Sequence, residues 1–280
     1  MMTKQGSILK QNINSGNEIE DLYIIKIGGN VIDDDAALNS FLRDFSTILG
    51  KKILVHGGGK IATSIGDKLG IQSKYIDGRR ITDDETISLV TMVYGGLVNK
   101  RIVALLQSLK CFAIGLTGAD ANVLPATKRP VKEIDYGWVG DVNAGDINSE
   151  TWEIFLKHGL VPVLAPLTHD SNGHILNTNA DTMSAILSVA LSKYYNVKLI
   201  YCFEKDGVLE NVDDESSLLK NLDVNLYQRL KAEKKLYAGI LPKIDNAFFA
   251  AKNQVKEIII GNSINLLQLV HGETGTKISL

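Results

Sequence analysis

The chain has 280 residues, with 30 Lys and Arg against 32 Asp and Glu and a formal net charge of −2. This length suffices to bury a full hydrophobic core, in one large α/β domain or in two lobes that share a continuous sheet. The balanced charge excludes a global basic field that would draw the protein onto nucleic acid or an anionic membrane, so any anion-binding site must be local.

The first segment, residues 1–21, is polar and has no apolar stretch of the kind found in signal peptides. No continuous apolar run in the chain approaches the about 18 to 20 residues that span a bilayer. The cysteines, Cys111 and Cys202, lie in apolar stretches typical of strands, so we expect small buried thiols rather than a disulfide framework. These features together predict a cytoplasmic protein without membrane or nucleic-acid partners.

After this lead, short apolar runs bounded by Gly, Asn or Asp alternate with longer helical patterns, which predicts an α/β fold with parallel strands and crossover helices. In chain order, the predicted strands are 22–27, 52–56, 112–116, 161–165, 197–203 and 257–260. The predicted helices are 34–49, 61–69, 83–108, 150–158, one from 180, 224–234 and 242–253. Hairpins are predicted within 122–143 and 167–176, and a boundary between two lobes near 176–182.

Gly95 and Gly96 fall in the middle of the predicted helix 83–108. A glycine in a helix interior costs about 1 kcal/mol relative to Ala. Two explanations stay open: a kink or short break in the helix, or close approach of a packed partner helix, which could belong to a second subunit.

Two glycine-rich turns follow predicted strands. Lys26 precedes Gly28 and Gly29 at the end of the first strand, and His56 precedes Gly57–Gly59 at the end of the second, directly before a helix. Ligands of open parallel sheets bind outside the carboxyl ends of the strands, and a helix N-terminus offers free N–H groups to phosphate. Neither turn is a Walker A loop or a dinucleotide fingerprint. Taken alone, a turn lysine and a packed strand-end histidine are the more common interpretations.

Further polar residues stand at turns and helix starts. Arg80 could pair bidentately with a carboxylate, although a surface charge pair is the common alternative. Asn177, Asn179 and Asp181 enter a helix, where Asn and Asp are ordinary caps, yet their alternate spacing could place Asn177 and Asn179 on one side of a site. Lys243 lies in the first turn of a helix, where a positive charge is unfavourable unless an anion binds there.

The order of these motifs resembles the N-acetylglutamate kinases of the amino-acid kinase family. The resemblance covers nearly everything from Tyr23 to Leu280. Its motifs are Lys26-x-Gly28-Gly29, Val55-His56-Gly57-Gly58-Gly59, Gly78-x-Arg80-x-Thr82, Gly115-Leu116-Thr117-Gly118-Ala119-Asp120, Val139-Gly140-Asp141-Val142, Asn177-x-Asn179-Ala180-Asp181 and Gly239-Ile240-x-x-Lys243.

The resemblance implies a three-layer αβα sandwich around a largely parallel central sheet. Its N-terminal lobe, 22–178, would bind the acylated amino acid and mediate dimerisation, and its C-terminal lobe, 179–280, would bind ATP. In this scheme Lys26 contacts the transferring phosphoryl group, Lys243 contacts the phosphates of the departing ADP, and Asp181 orients both lysines.

The remaining roles are also implied by the resemblance. Backbone N–H groups would receive the phosphoryl group and the carboxylate at Gly28, Gly29, Gly58 and Gly59. The acylated glutamate would be held by Arg80, Asn177 and Asn179. The nucleotide pocket would be formed by Glu204, Lys205, Asp206, Gly207, Val208, Leu209 and Tyr237. The family often has Thr-Asp-Val-x-Gly where this chain has Phe203-Glu204-Lys205-Asp206-Gly207, so the individual base and ribose contacts stay open.

The implied reaction is ATP-dependent phosphorylation of the side-chain carboxylate of N-acetyl-L-glutamate, a step of arginine (ornithine) biosynthesis. A glutamate carboxyl has a reference pKa near 4.3, so it is already nucleophilic at pH 7 and needs no general base. Mg²⁺ would bind through the nucleotide, without a protein ligand. Arginine-inhibited members of the family have a helical N-terminal extension and a characteristic C-terminal segment, whereas here the lead 1–21 is polar and weakly amphipathic and the tail 265–280 is short, which favours an arginine-insensitive homodimer. N-succinyl-L-glutamate, an aminoadipate derivative or another family substrate, and a non-catalytic nucleotide-binding sensor remain alternatives.

Overall fold

The computed structural model describes residues 19–76, 78–236 and 239–280. The predicted polar lead 1–21 therefore lies mostly outside the described residues, and so does the predicted nucleotide-binding residue Tyr237. The strand that follows the lead begins at Asp21, one residue earlier than predicted.

Apolar runs of the sequence form a large central sheet. The described strands are β1 (Asp21–Ile27), β2 (Lys51–His56), β3 (Tyr75–Ile76), β4 (Arg79–Arg80), β5 (Ala113–Leu116), β6 (Thr127–Lys128), β7 (Gly140–Asp141), β8 (Val161–Leu164), β9 (Leu167–His169), β10 (Ile175–Asn177), β11 (Asn196–Phe203), β12 (Asn221–Leu222), β13 (Glu257–Asn262) and β14 (Thr276–Ile278). The central sheet has 8 strands in the order β12-β14-β13-β11-β1-β2-β8-β5. Its pairings are parallel except for the antiparallel contact of β13 with β14.

The helices connect and cover these strands. They are α1 (Gly29–Asp33), α2 (Asp35–Thr47), α3 (Gly59–Leu69), α4 (Asp84–Val90), a π-helix (Thr91–Val98), α5 (Asn99–Ser108), α6 (Ser149–Lys157), α7 (Ala180–Leu191), α8 (Val224–Ala232), α9 (Leu241–Lys252) and α10 (Leu266–His271). Several begin at the capping residue that the sequence provides. Asp34, for example, accepts hydrogen bonds from the N–H groups of Ala36 and Ala37 at the start of α2.

Two hydrophobic clusters lie on opposite faces of the sheet, because successive strand residues point to opposite sides. Leu22 and Ile24 of β1 pack with residues of α6, α7, α8 and α9. Ile25 and Ile27 pack with residues of α2, α4, α5 and α10. Burying such a side chain stabilises the fold by about 1.5–3 kcal/mol. The predicted three-layer αβα sandwich around a largely parallel sheet is thus confirmed.

The strands and helices that the sequence predicts are confirmed within a few residues at their ends. The short elements that were not predicted include α1, which follows the first glycine turn, the hairpin strands β3 and β4, the strand β12, and α10 and β14 in the C-terminal tail. Strands β1, β2, β5 and β8 occupy one half of the sheet and β11 to β14 the other half, and the two halves meet where β1 pairs with β11.

The predicted long helix does not break at Gly95 and Gly96, because the chain continues there as a π-helix. A Cβ at Gly95 would lie 3.3 Å from Leu167 Cδ1 of the same chain, whereas a Cβ at Gly96 would meet nothing within 4 Å. By length and composition alone, the helical stretch Asp84–Ser108 would qualify to cross a membrane, although the lengths of the continuous apolar runs in the sequence predicted no such helix. It is nevertheless a helix of the folded core, since residues such as Val93 are buried against the sheet.

Candidate active site

Two lysines share one carboxylate at the carboxyl edge of the sheet. Lys26 lies near the end of β1, while Asp181 and Lys243 lie in the first turns of α7 and α9. Lys26 Nζ is 2.7 Å from Asp181 Oδ1, and Lys243 Nζ is 3.2 Å from both carboxylate oxygens. The lysine side chains are each 9% exposed and that of Asp181 is 15% exposed. The fold thus brings together the three residues that were predicted to be catalytic.

The electrostatics of this cluster favour an additional anion. Burial alone would raise the pKa of Asp181, but the ammonium groups of Lys243 and Lys26 hold it well below its ordinary value. Burial lowers the pKa of Lys243, and the Asp181 carboxylate opposes this effect. At pH 7 two ammonium groups face a single carboxylate, so this largely buried cluster carries a surplus positive charge. Negatively charged phosphoryl oxygens would balance it.

Aromatic residues that the sequence analysis missed surround Lys243. Its Nζ lies 5.4 Å from the ring centroid of Tyr201 and 6.0 Å from that of Phe203. These distances permit cation–π attraction. The Tyr201 hydroxyl donates a hydrogen bond to the Asp181 carbonyl oxygen at 2.9 Å, which ties β11 to the start of α7. The signal in the sequence was the spacing of two along β11, which places both rings on one face of the sheet.

The two glycine turns adjoin each other. A Cβ at Gly57 would lie 3.9 Å from Gly29 N. Gly28 N–H donates to Cys202 O at 3.1 Å, so this N–H already has a backbone acceptor, and its predicted contact with a phosphoryl group stays a prediction. The acceptor is present because hydrogen bonding between β1 and β11 extends one residue beyond the strand. Within the described part of the chain, the N–H groups of Gly29, Gly58 and Gly59 have no hydrogen-bond acceptor.

Gly58 and Gly59 differ in what their backbone requires. Gly58 has a φ of 153°, and a Cβ there would lie 3.0 Å from Tyr94 Cδ1. Only glycine adopts this conformation readily, and only glycine leaves room for the buried Tyr94 ring. Gly59 begins α3, and a Cβ at this position would meet nothing within 4 Å.

Arg80 joins the β3–β4 hairpin to the second glycine turn. Its guanidinium donates to Gly59 O and Thr63 Oγ1, each at 2.9 Å, and to Ser73 Oγ. The group also lies 4.8 Å from the centroid of the Tyr75 ring. Arg80 is 7% exposed and therefore held in place beside Gly58 and Gly59. The sequence predicted its position near the site but not these partners.

The structure gives Asn177 and Asn179 different surroundings. Asn177 Nδ2 donates to Thr82 Oγ1 at 3.0 Å, which connects β10 to the segment after the β3–β4 hairpin. Asn179 Oδ1 accepts from Thr182 N–H at 2.9 Å and so caps α7. The ordinary capping role weighed for Asn179 is therefore present, and it places Asp181 in the first turn of α7, beside the lysines.

The segment predicted to hold the nucleotide follows β11. Glu204 and Asp206 are exposed, Lys205 is half-buried, and Asn262 Nδ2 donates to Asp206 Oδ1 at 2.9 Å. The buried remainder of the segment comprises Gly207, Val208 and Leu209. Val208 N–H donates to Thr276 Oγ1 at 2.8 Å, and this hydrogen bond holds the loop against β14 of the tail. Asn262 and Thr276 were not identified from the sequence, because their partners are distant along the chain.

The described residues contain no group of three or more His, Cys, Asp or Glu that could hold a metal ion. His56 is unsuited to act as a base, because burial lowers its pKa to about 4 and its side chain is fully buried. The site can instead bind anions through the lysines and the free N–H groups. Such a site can perform phosphoryl transfer to an acceptor that is already ionised, since this reaction depends on positioning and electrostatic stabilisation.

The chain is similar to known proteins over most of its length. The model of the amino acid kinase family matches residues 21–262. A protein of Cytophaga hutchinsonii named acetylglutamate kinase is 50% identical over 263 residues, which are 93% of this chain and 99% of that protein. An acetylglutamate kinase of Bacteroides fragilis is 49% identical over 259 residues, or 92% of this chain and 97% of that protein. The crystal structure of smu.665 from Streptococcus mutans UA159 superposes with a TM-score of 0.74 at 29% identity, covering 92% of this chain and 98% of that one.

Proposed function

The chain belongs to the amino acid kinase family, and we propose that it transfers the γ-phosphoryl group of ATP to the side-chain carboxylate of N-acetyl-L-glutamate in arginine biosynthesis. The observation that carries the proposal is the shared carboxylate of Asp181 between Lys26 and Lys243, next to the free N–H groups of the glycine turns. The names of relatives that are about half identical over most of their length support the choice of acceptor.

The reaction needs a carboxylate to approach a negatively charged phosphoryl group. One carboxylate oxygen attacks the γ-phosphorus, and the bond to the β–γ bridging oxygen breaks, so ADP leaves with the electron pair. Lys26 offsets charge on the transferring group and Lys243 on the departing ADP, while Asp181 holds both ammonium groups in place. The N–H groups of Gly29, Gly58 and Gly59 add donors that need no reorganisation during the reaction.

The substrate-binding roles follow the same arrangement. Arg80 and Asn177 lie on the side of the second glycine turn, where they would hold the acylated glutamate with Asn179 at the edge of the site. The nucleotide would lie over Glu204–Leu209 and beside Tyr237. The surplus positive charge of the lysine cluster fits a triphosphate, and Mg²⁺, when bound through the nucleotide and water, would neutralise part of the phosphate charge.

We also propose that the chain forms a homodimer through the outer side of the π-helix. Met92 is 58% exposed and Leu97 52% exposed, and Gly96 beside them leaves open space. The neighbouring strand β5 is one of the two edge strands of the central sheet as the described residues form it. A second copy related by a two-fold axis would cover both features with one self-complementary surface.

The larger organisation follows from these assignments. In our proposal the lobe 22–178 binds the acylated amino acid and dimerises, and the lobe 179–280 binds ATP.

We assign the protein to the cytoplasm, because ATP is available there and because Cys111 and Cys202 are free buried thiols that need no oxidising compartment.

Hydroxylamine trapping of the acyl phosphate tests the function. The acceptors to compare at equal concentration are N-acetyl-L-glutamate, N-succinyl-L-glutamate, L-2-aminoadipate, free L-glutamate and L-aspartate. We expect the strongest hydroxamate signal with N-acetyl-L-glutamate. A stronger signal with N-succinyl-L-glutamate would identify succinyl as the acyl group of the substrate. The absence of a hydroxamate signal with every acceptor, despite ATP binding, would favour the nucleotide-binding sensor.

A further inference from the structure

His56 is a fully buried histidine with polar partners on both sides of its ring. It ends β2, directly before the second glycine turn, and is 0% exposed. Its Nδ1 lies 2.7 Å from Gly57 O, and its Nε2 lies 3.1 Å from Nδ2 of Asn99, the first residue of α5. Asn99 is 1% exposed, and its Nδ2 also lies 2.9 Å from Val163 O in β8.

These contacts determine which ring nitrogen of His56 carries the proton. A backbone carbonyl can only accept, so the Asn99 atom that faces Val163 O is the amide nitrogen. The same nitrogen donates to His56 Nε2, which must then be the unprotonated nitrogen. Nδ1 therefore carries the hydrogen and donates it to Gly57 O. The ring stays neutral at pH 7, because burial lowers the pKa of His56 to about 4.

The hydrogen bond from His56 controls the direction of a neighbouring N–H group. Gly57 O and Gly58 N–H belong to the same planar peptide, in which the two groups point in opposite directions. A carbonyl held against the buried ring therefore turns Gly58 N–H away from it, and this N–H has no acceptor among the described residues. Without the bond the peptide could rotate, because glycines on both sides tolerate either orientation.

We propose that His56 is a positioning residue that locks the Gly57–Gly58 peptide with its N–H directed at the phosphoryl group, and that Asn99 selects the required tautomer. The nature of the bound group rests on the proposed function. In the rotated peptide the Gly57 carbonyl oxygen would face the phosphoryl oxygens, so an attractive dipole would become a repulsive one. The lost electrostatic stabilisation would be largest in the transition state, where charge develops on the phosphoryl group.

Two polar substitutions separate this role from simple packing. His56→Asn places an amide nitrogen near the position of Nδ1 and can still donate to Gly57 O. His56→Gln carries its amide further out, near the position of Nε2, and pairs with Asn99 instead. The matched control is His158→Gln, because His158 Nδ1 also lies 2.7 Å from a carbonyl oxygen, that of Ile154, but at an exposed site at the opposite edge of the sheet.

We expect His56→Gln to lower kcat by about 100-fold, as removal of one oriented donor does, with little change in the KM for ATP. His56→Asn should keep kcat within about tenfold of the wild-type value, and His158→Gln should leave it unchanged. Thermal unfolding of each variant shows whether it is folded.

A purely structural role predicts instead that the larger Gln restores activity at least as well as Asn. Equal kcat values for folded Asn and Gln variants, or a folded Asn variant slowed more than about 100-fold, would overturn the proposal.

Amide spectra of glycine-labelled protein keep this inference separate from the proposed reaction. In the wild type, a non-hydrolysable ATP analogue with Mg²⁺ should shift the Gly58 amide resonance, and His56→Asn should retain that shift while His56→Gln loses it. Equal shifts in all three proteins would contradict the inference. If no acceptor is phosphorylated by the wild type, the proposed function fails, and these spectra alone decide on His56.

Discussion

The ammonium group of Lys26 lies 2.7 Å from a carboxylate oxygen of Asp181, although the two residues come from opposite halves of the amino-acid sequence. The same carboxylate also holds Lys243. One partly buried carboxylate thus pairs with two buried ammonium groups, and the surplus positive charge can bind negatively charged phosphoryl oxygens. Each lysine remains fixed before the substrate arrives, which reduces the entropy lost in reaching the transition state.

Replacing Asp181 by Asn should impair both catalysis and stability. Two ammonium groups would then face each other without a counter-charge, and breaking a buried ion pair by removing one partner costs about 3–5 kcal/mol. We expect kcat to fall by at least about 100-fold, because neither lysine would keep its position. Urea unfolding and steady-state kinetics measure the two effects.

The control for this substitution is Glu153→Gln, which breaks the exposed pair of Glu153 with Lys157. Exposed ion pairs contribute about 0–1 kcal/mol to the free energy of unfolding, so the value for the Glu153→Gln variant should barely differ from that of the wild type. An Asp181→Asn variant with wild-type kcat would exclude the shared carboxylate from the mechanism.

Alkaline pH should weaken the use of ATP. Burial lowers the pKa of Lys243, so this side chain loses its positive charge at a lower pH than the ordinary lysine value of about 10.4. We therefore expect kcat/KM for ATP, which reports the free enzyme, to decline with rising pH below that value. In Lys243→Arg the guanidinium stays charged, and the decline should move to higher pH. An identical profile in both proteins would assign the decline to another group.

Arg80→Lys should raise the KM for the acylated amino acid more than the KM for ATP. The guanidinium fork now holds Gly59 O, Thr63 Oγ1 and Ser73 Oγ while it stacks on Tyr75, and a lysine offers neither the fork nor the planar face. We expect an increase of about tenfold for the acceptor, which corresponds to the loss of one charge-assisted hydrogen bond. Equal increases for both substrates would argue against a role in acceptor binding.

The proposed dimer predicts that Leu97→Glu yields a single-chain species in sedimentation analysis. A charge placed on the outer side of the π-helix would be buried without a partner in the two-fold interface. Ile154→Glu is the matched control, since Ile154 is 57% exposed on α6 across the sheet. A Leu97→Glu protein that still sediments as two chains would place the interface elsewhere.

The order of strands and glycine turns was readable from the sequence because apolar runs and their flanking residues are local signals. The convergence of Lys26, Asp181 and Lys243 came from the family resemblance, and the structure brings them within hydrogen-bonding distance. No pattern of periodicity alone would have joined residues so far apart.

Other features depended on long-range packing and could not be read from the sequence. The capture of Gly28 N–H by Cys202 O follows from the register between β1 and β11. The π-helix lies where the Tyr94 ring packs on Gly58, and that packing is tertiary. The support of the nucleotide loop by Thr276 likewise needs β14 to return to the sheet.

The most direct test of the account follows the oxygen atoms of the acceptor. N-acetyl-L-glutamate labelled with ¹⁸O in its side-chain carboxylate is phosphorylated by the protein with ATP, and hydroxylamine then cleaves the product at the carbonyl carbon. Because the attacking carboxylate oxygen stays on phosphorus, we predict that each released phosphate carries one ¹⁸O, visible as an isotope shift in the ³¹P spectrum. Unlabelled phosphate would contradict attack by the carboxylate on the γ-phosphoryl group.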